Sequence, residues 1–413
     1  MKFWALVREG ALAALDNLFY WVAFLFKKDE HLWVFGSMFG NGYADNSKYF
    51  FEYVRKEHPG IRSVWFSGNR SVVAELRQVG AEAYRFYDPR GIALLLKARV
   101  AVVSHSQVRD IRPFMFASST CLVNLWHGIP LKKIALDDKV AEVRNRPLMA
   151  PLGWLSRFVW PGFRRQPDLL TAASEEDRRN FSSAFALPVE KIKITGYPRN
   201  DLFFKTQGLV AKVRPIRRGI YVPTFRGKEG SSFDFFSRFG FDIEQIDSRL
   251  AKLGVELCLK LHHFNYPADE IVRSIHRARQ IYFYTGQDIY QDLPDFDFLV
   301  TDFSSIYFDY ILTGQPVIFA PFDQAGYEQS GRQLYYEYEE VTPGPKATCW
   351  PEVLDCIKVL VSEPLRYEEP VRQIRERFQT FNDGHNSDRV YQLIAWHLGW
   401  TQSKSPDRVL ECK

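Results

Sequence analysis

Phe298-Leu-Val-Thr-Asp-Phe-Ser-Ser-Ile-Tyr-Phe-Asp-Tyr-Ile-Leu-Thr-Gly314 reads as a short apolar strand, a tight polar turn and a helix stopped by Gly314. The same rhythm recurs outward from it along all 413 residues. Short apolar runs alternating with longer amphipathic stretches are the pattern of parallel sheets with crossover helices. In the first half the spacing predicts strands at Leu32–Ser37, Ser63–Ser67, Ala83–Tyr87, Val100–His105, Cys121–Trp126, Leu169–Ala173 and Ile192–Thr195. In the second half it predicts Gly219–Pro223, Glu256–Leu261, Ile281–Tyr284, Phe298–Thr301 and Pro316–Ala320. Between the two sets the rhythm is lost and Lys205, Lys212, Arg214, Arg217 and Arg218 collect, which places a linker at 201–217. The expectation is an α/β chain of two Rossmann-like domains facing each other across a cleft, with sites at the carboxyl ends of strands.

Composition sets the outer limits. Lys and Arg number 54 against 49 Asp and Glu, a formal charge of +5, and 46% of residues are hydrophobic and 25% charged. Those proportions are ordinary for globular proteins and exclude a disordered, collagen-like or polytopic membrane chain. Five scattered cysteines, never in a CxxC pair, form neither a disulfide framework nor a zinc site, which points to a reducing compartment.

Two segments suit a membrane surface. Residues 3–26 are almost wholly apolar, yet the longest uninterrupted run, Leu18–Phe26, falls short of the ~20 residues of a spanning helix. At 100° per residue Arg8, Glu9, Asp16 and Asn17 share one half of the helix surface. This suits a helix lying in the interface, with Trp4, Phe19, Tyr20 and Trp21 at headgroup level and Lys27-Lys28 near anionic lipid. The stretch 151–165 interleaves Trp154, Phe158, Trp160 and Phe163 with Arg157, Arg164 and Arg165. With no RNA-binding or zinc signature beside it, that interleaving points to an anionic membrane surface and not to nucleic acid.

Four strand ends carry polar groups that a plain core does not need. In Asn124-Leu-Trp-His-Gly-Ile-Pro-Leu-Lys-Lys133 an apolar strand ends at His127, whose ordinary pKa suits general-base work near neutrality. Leu259-Lys-Leu-His-His-Phe264 sends Lys260 and His262 to one face, a pair suited to an anionic leaving group. Ser304 and Ser305 fall at the N-terminus of the helix after the strand Phe298–Thr301, where free N–H groups, the helix dipole and two hydroxyls suit a phosphate or pyrophosphate, and Asp323 ends the next strand. Ile194-Thr-Gly-Tyr-Pro-Arg-Asn-Asp201 and Tyr221-Val-Pro-Thr-Phe-Arg226 bring Arg199 and Arg226 to the mouth of the expected cleft.

Taken together, these strings resemble the CDP-glycerol glycerophosphotransferase family, the teichoic-acid primases and polymerases. The patterns WHG-x-P-L-K-K, T-G-Y-P-R-N-D, P-T-[WF]-R, a basic-x-His strand end and T-D-[YF]-S-S-[IV]-x-F-D-Y occur in order. Pro343-Gly344-Pro345 and a closing F-x-D-G-x-x-S-x-R-V from Phe381 to Val390 follow them. The resemblance covers roughly residues 120–395 and leaves the first 118 without a signature; Lys260 stands where the family often has Arg.

The resemblance implies a GT-B-type architecture, which, with the membrane-associating helix read above at 1–28, gives an acceptor domain at 29–200, a CDP-alditol domain at 218–380, and a C-terminal helix at 381–413 returning towards the first domain. It implies peripheral attachment at the cytoplasmic membrane face. The donor is a CDP-alditol, CDP-glycerol or CDP-ribitol, the acceptor a polyprenyl-diphosphate-linked saccharide or growing polymer, and CMP leaves. His127 is then the base, and His262 with Lys260 binds the pyrophosphate. Ser304 and Ser305 hold phosphate oxygens, Arg226, Thr224 and Asp323 contact the donor, and Arg199 helps close the cleft. No resident cofactor and no metal are expected. The competing readings are a GT-B glycosyltransferase using a nucleotide sugar and a non-catalytic membrane scaffold.

Overall fold

A computed structural model describes residues 2–106, 109–112, 119–138, 165–205, 215–224, 236, 238–261, 265, 267–324 and 333–401. Apolar runs buried on both faces make its strands, all paired in parallel. The first sheet comprises β1 (Asp29–Phe35), β2 (Arg62–Ser67), β3 (Ala83–Arg85), β4 (Ala98–Val103), β5 (Cys121–Asn124), β6 (Leu169–Ala172) and β7 (Ile192–Ile194). Their order is β3-β2-β1-β4-β5-β6-β7. The second comprises β8 (Arg218–Val222), β9 (Glu256–Leu259), β10 (Ile281–Phe283), β11 (Phe298–Thr301) and β12 (Val317–Phe319), ordered β10-β9-β8-β11-β12. Each expected strand is present; at Cys121–Trp126, β5 ends at Asn124, short of Trp126, which turns to φ 53°.

Packing divides the chain into two compact units, one of Met1–His127, Ala141–Asp201 and His385–Lys413, the other of Gly128–Val140 and Leu202–Gly384. Residues 128–140, assigned from sequence to the first domain, therefore pack with the second unit. There Leu131–Lys133 runs antiparallel to Gln333–Tyr335 through the Lys132–Leu334 bridge, with Lys133 N–H on the Gln333 carbonyl and Tyr335 N–H on that of Leu131. The Lys133 ammonium reaches Gln333 Oε1 at 3.1 Å.

In the first unit the two-residue period of β1 separates two cores. Trp33 and Phe35 face Phe50, Phe51 and Trp65, while Leu32 and Val34 face Phe66, Leu95 and Ile111. The first face is covered by α2 (Asp45–Glu57), α3 (Arg70–Gln78) and the helix Asn386–His397. Asp201 holds that last helix by accepting the N–H groups of Asn386 and Ser387 at 2.8 and 2.9 Å, which satisfies two of its orphan donors. The other face takes the helix α4 (Pro89–Lys97), capped by Asp88. In the second unit Tyr221, Leu257, Leu259, Phe298 and Val300 pack with Trp350, Leu354 and Ile357 of the helix Trp350–Ser362. The Pro343-Gly344-Pro345 string runs along β12, where Phe319 N–H meets the Pro345 carbonyl; a side chain at Gly344 would collide with the Val317 carbonyl.

The N-terminal helix α1 (Lys2–Val22) departs from the expected orientation in part. Asp16 is buried, not exposed, and takes the Tyr87 hydroxyl at 2.8 Å and the Arg112 guanidinium at 2.6 Å. Phe19 and Tyr20 pack on the core and do not reach outward. What faces out is Leu15, Leu18, Trp21, Phe24 and Leu25, the last 83% exposed. Lys28 turns its ammonium to the Leu96 carbonyl at 2.7 Å and burial lowers its pKa to about 8, which leaves the exposed Lys27 as the cation of that pair facing solvent. Among the described residues no helix is long and apolar enough to cross a membrane.

Candidate active site

His127 lies three residues beyond β5, on a turn built to hold it. Asn124 Oδ1 accepts the Trp126 N–H at 2.8 Å, and the Asn46 side-chain amide donates to the Trp126 carbonyl at 2.9 Å. Trp126 is thereby kept left-handed, its ring seated on Phe181 and Phe185, and Gly128 at φ 121° follows. A left-handed tryptophan is unfavourable by itself, so the surrounding bonds over-determine the turn.

Two aromatic rings lie against the His127 ring. The Trp126 ring lies 4.2 Å away on centroids, and the His105 ring stacks parallel to it at 4.6 Å and 4°. Nδ1 is 3.3 Å from the Ser104 carbonyl, an oxygen that can only accept. The proton therefore sits on Nδ1 and the lone pair on Nε2. Burial, with the His105 imidazole beside it, lowers the His127 pKa to about 4, while Asp45 pulls the other way. At neutral pH the ring is uncharged and ready to accept a proton.

His105, just beyond β4, is fixed by the Met38 N–H on its Nδ1 at 3.3 Å, which leaves Nε2–H facing Asp45 Oδ2 at 3.4 Å. Asp45 opens α2 at φ 62° and binds Arg199 through Oδ1 at 2.6 Å. Burial opposes its charge, but Arg199, the two imidazoles and the Asn46 N–H outweigh that and hold the carboxyl below its usual range. Asp110 anchors the frame: Oδ2 accepts the N–H groups of Ser104, His105 and Ser106, and Oδ1 that of Phe39. The close approach of Asp110 requires Gly36, where a Cβ would collide with its carbonyl.

Arg199 departs from expectation. It is 3% exposed and bonded to Asp45, so it positions that carboxylate. Arg165 likewise binds Asp168 and the Thr120 carbonyl, and its side chain is only 12% exposed. Asp45, His105 and Asp110 went unnoticed in the sequence. His105 ends a predicted strand in a polar group, the same signal that marked His127; Asp45 and Asp110 carry no comparable mark.

In the second unit, sequence-predicted groups gather at the carboxyl edge of the sheet. Thr224 follows β8, with its N–H on Asp302 Oδ1 at 2.7 Å; Lys260 follows β9, with its N–H on the Tyr221 carbonyl at 2.9 Å. Ser304 and Ser305 follow β11, half-buried, and Ser304 Oγ makes only a 3.5 Å contact to the Ile306 N–H. Asp323 follows β12, also half-buried. β8 and β11 are the adjacent strands at which the connections reverse direction, the usual ligand crevice of an open α/β sheet. Among the described residues, Thr224 Oγ1 is buried there without a hydrogen-bond partner. His262, Arg226, Trp154, Arg157, Trp160 and Arg164 lie outside the described residues, as does the side chain of Trp4.

Two doubly wound parallel sheets, one ending in a neutral histidine and the other in hydroxyl and lysine groups, define an α/β enzyme of the Rossmann type. The chain belongs to the CDP-glycerol:poly(glycerophosphate) glycerophosphotransferase family, whose model matches residues 18–396. It is 27% identical over 387 residues to a teichoic acid glycerol-phosphate transferase of Staphylococcus aureus, covering 89% of this chain and 93% of that one. To a teichoic acid poly(glycerol phosphate) polymerase of Bacillus subtilis it is 24% identical over 372 residues, covering 87% of this chain but 48% of the polymerase. The fold matches that of the wall teichoic acid polymerase TagF with a TM-score of 0.73 at 21% identity, over 96% of this chain and 97% of the other. A UDP-N-acetylglucosamine 2-epimerase from Listeria monocytogenes shares it more loosely, with a TM-score of 0.55 at 11% identity over 91% of this chain and 99% of the epimerase.

Proposed function

We propose that this protein transfers glycerol phosphate from CDP-glycerol to a hydroxyl of a polyprenyl-diphosphate-linked saccharide or growing polymer in teichoic-acid synthesis. The acceptor oxygen bonds to the alditol-side phosphorus and the bond from that phosphorus to the CMP oxygen breaks. CMP leaves with the electron pair, and the acceptor proton passes to Nε2 of His127. Such a transfer asks the protein chiefly for positioning and charge stabilisation.

The observation that carries this reading is the state of His127: neutral, tautomer set by the Ser104 carbonyl, Nε2 unprotonated. A pKa of about 4 belongs to the site without substrate. The negative charge of a bound donor raises it towards the working range of a general base. Asp45 stabilises the imidazolium as it forms. Thr224, Lys260, Ser304, Ser305 and Asp323, together with Arg226 and His262, are assigned to the donor; the unpartnered Thr224 hydroxyl supports a ligand there. No resident cofactor is assigned, CDP-glycerol being a substrate.

The same reading places the protein peripherally on the cytoplasmic face of an anionic membrane. The outward row Leu18, Trp21, Phe24 and Leu25 on and beyond α1, with the exposed Lys27 next to it, supports this attachment.

The test is release of CMP by the purified protein given CDP-glycerol and a lipid-linked disaccharide. Acceptor-dependent CMP release that falls about 10²–10⁴-fold in His127→Ala is the expected result. A nucleoside diphosphate released from a nucleotide sugar would instead establish a glycosyltransferase, and CMP from CDP-ribitol alone would change the donor.

A further inference from the structure

β1 and β4 are neighbours in the first sheet, and the chain leaves them in opposite directions, with β2 beyond β1 and β5 beyond β4. The crevice outside such a pair is where an open α/β sheet takes its ligand. The loop leaving β1 lines it with three successive left-handed residues, Met38, Phe39 and Gly40, at φ 50°, 55° and 79°. Two of them bear side chains, and such backbone persists only inside a framework that imposes it. Here Phe39 N–H donates to Asp110 Oδ1 at 2.8 Å and Met38 N–H to His105 Nδ1 at 3.3 Å. The Gly40 carbonyl accepts from Ser67 Oγ at 2.8 Å and from Gly68 N–H at 2.7 Å.

What this framework holds is apolar and open to solvent: Met38 is 40% and Phe39 50% exposed. A core residue would be buried, and a simple turn would favour glycine or asparagine in such a conformation. The Phe39 ring lies 5.4 Å from His105, which stacks at 4.6 Å on His127. Two ring-to-ring steps therefore separate an exposed aromatic from the base, a span comparable with one or two sugar rings. The loop Ser37-Met-Phe-Gly-Asn-Gly-Tyr43 contains no charged residue, which suits a neutral ligand better than a phosphate chain.

We propose that Met38 and Phe39 form an acceptor subsite, and that its occupant is a pyranose ring of the acceptor saccharide, stacked by its C–H face on Phe39. The subsite rests on the reading of His127 as the base that receives the acceptor proton, and deepens it: the first unit recognises a sugar, not a glycerol phosphate chain.

The experiment compares two acceptors at saturating CDP-glycerol, a short-chain prenyl-diphosphate disaccharide and an oligo(glycerol phosphate). Phe39→Ala is expected to raise the KM for the disaccharide about tenfold, the scale of a lost aromatic stacking face, with kcat and the KM for CDP-glycerol within about twofold. Phe39→Tyr restores the wild-type KM, and Met38→Ala shifts it in the same direction as Phe39→Ala. With the oligo(glycerol phosphate) Phe39→Ala is expected to be silent. An unchanged disaccharide KM, or an equal rise for both acceptors, overturns the subsite. If the wild-type protein releases no CMP with either acceptor, the proposed reaction fails and the subsite is judged by binding alone. Saturation-transfer NMR of the free disaccharide then shows contact in the wild type that Phe39→Ala abolishes, or no contact, which overturns it.

Discussion

Replacing Asp45 with Asn tests whether the charge behind the two stacked imidazoles matters to catalysis. The substitution keeps the shape and removes one negative charge from a site where Arg199 lies 2.6 Å away and is 3% exposed. Removing one charge of this buried ion pair costs up to about 3–5 kcal/mol of stability. Because the Asp45 pKa is depressed, its ionic contribution is present above the ordinary value of 3.8 and is lost only as pH falls through the lower folded value. Asp45→Asn lacks the contribution at every pH.

For catalysis, the charge of Asp45 acts on the His127 imidazolium across space and is worth about 1.5–3 kcal/mol at ~6–10 Å and an effective dielectric of about 20, so its loss lowers the plateau of kcat/KM about 10- to 150-fold. The pH profile separates this from simple loosening. Asp45 raises the His127 pKa against the larger effect of burial. Its removal therefore moves the acid limb of kcat/KM, near pH 4 in the wild type, further towards acid. The assay is CMP release from pH 3.5 to 8 on protein whose fold is checked by circular dichroism at each pH. A lower plateau with an unmoved acid limb would refute the electrostatic role of Asp45.

Three further outcomes follow from the same geometry. His127 is protonated at about pH 4 in the folded protein but near 6.5 when unfolded, so the unfolded chain binds the extra proton between those values. The wild type then loses about 3 kcal/mol relative to His127→Asn as pH falls from 7 to 4, as urea titrations at each pH would measure. Ser304→Ala with Ser305→Ala leaves the melting temperature within a few degrees, since Ser304 makes only one 3.5 Å capping contact. It raises the KM for CDP-glycerol about tenfold or more, consistent with the loss of hydrogen bonds to a charged phosphate; an unchanged KM removes both serines from the donor site. Trp21→Glu with Leu25→Glu, at outward positions 54% and 83% exposed, releases the protein from phosphatidylglycerol vesicles in co-sedimentation. CMP release with a water-soluble acceptor stays at the wild-type rate, and undiminished sedimentation would refute attachment through this row.

The twelve strands were legible because parallel strands buried on both faces are written as short continuous apolar runs. Trp33-Val-Phe35 and Phe298-Leu-Val300 have few other stable places to go. His127 was legible for a related reason: a polar group followed by glycine at the end of such a run cannot belong to the core. The residues around it were not. Asp45, His105 and Arg199 are separated by 60 to 154 residues, and they meet because the chain brings them out beyond β1, β4 and β7 of one sheet. Strand order is settled by how whole elements pack, and no local pattern encodes it.

The turn of α1 onto the protein has the same origin. Its periodicity showed that one half was polar, and periodicity alone carries no sign for inside or outside. Arg112 and Tyr87, about 70 to 100 residues further along the chain, supply the partners that make burial of Asp16 favourable. The sequence by itself thus determined the elements, their polar ends and the family. Tertiary structure decided which charges face one another, because the stability of a buried charge depends on partners that only the folded chain brings within reach.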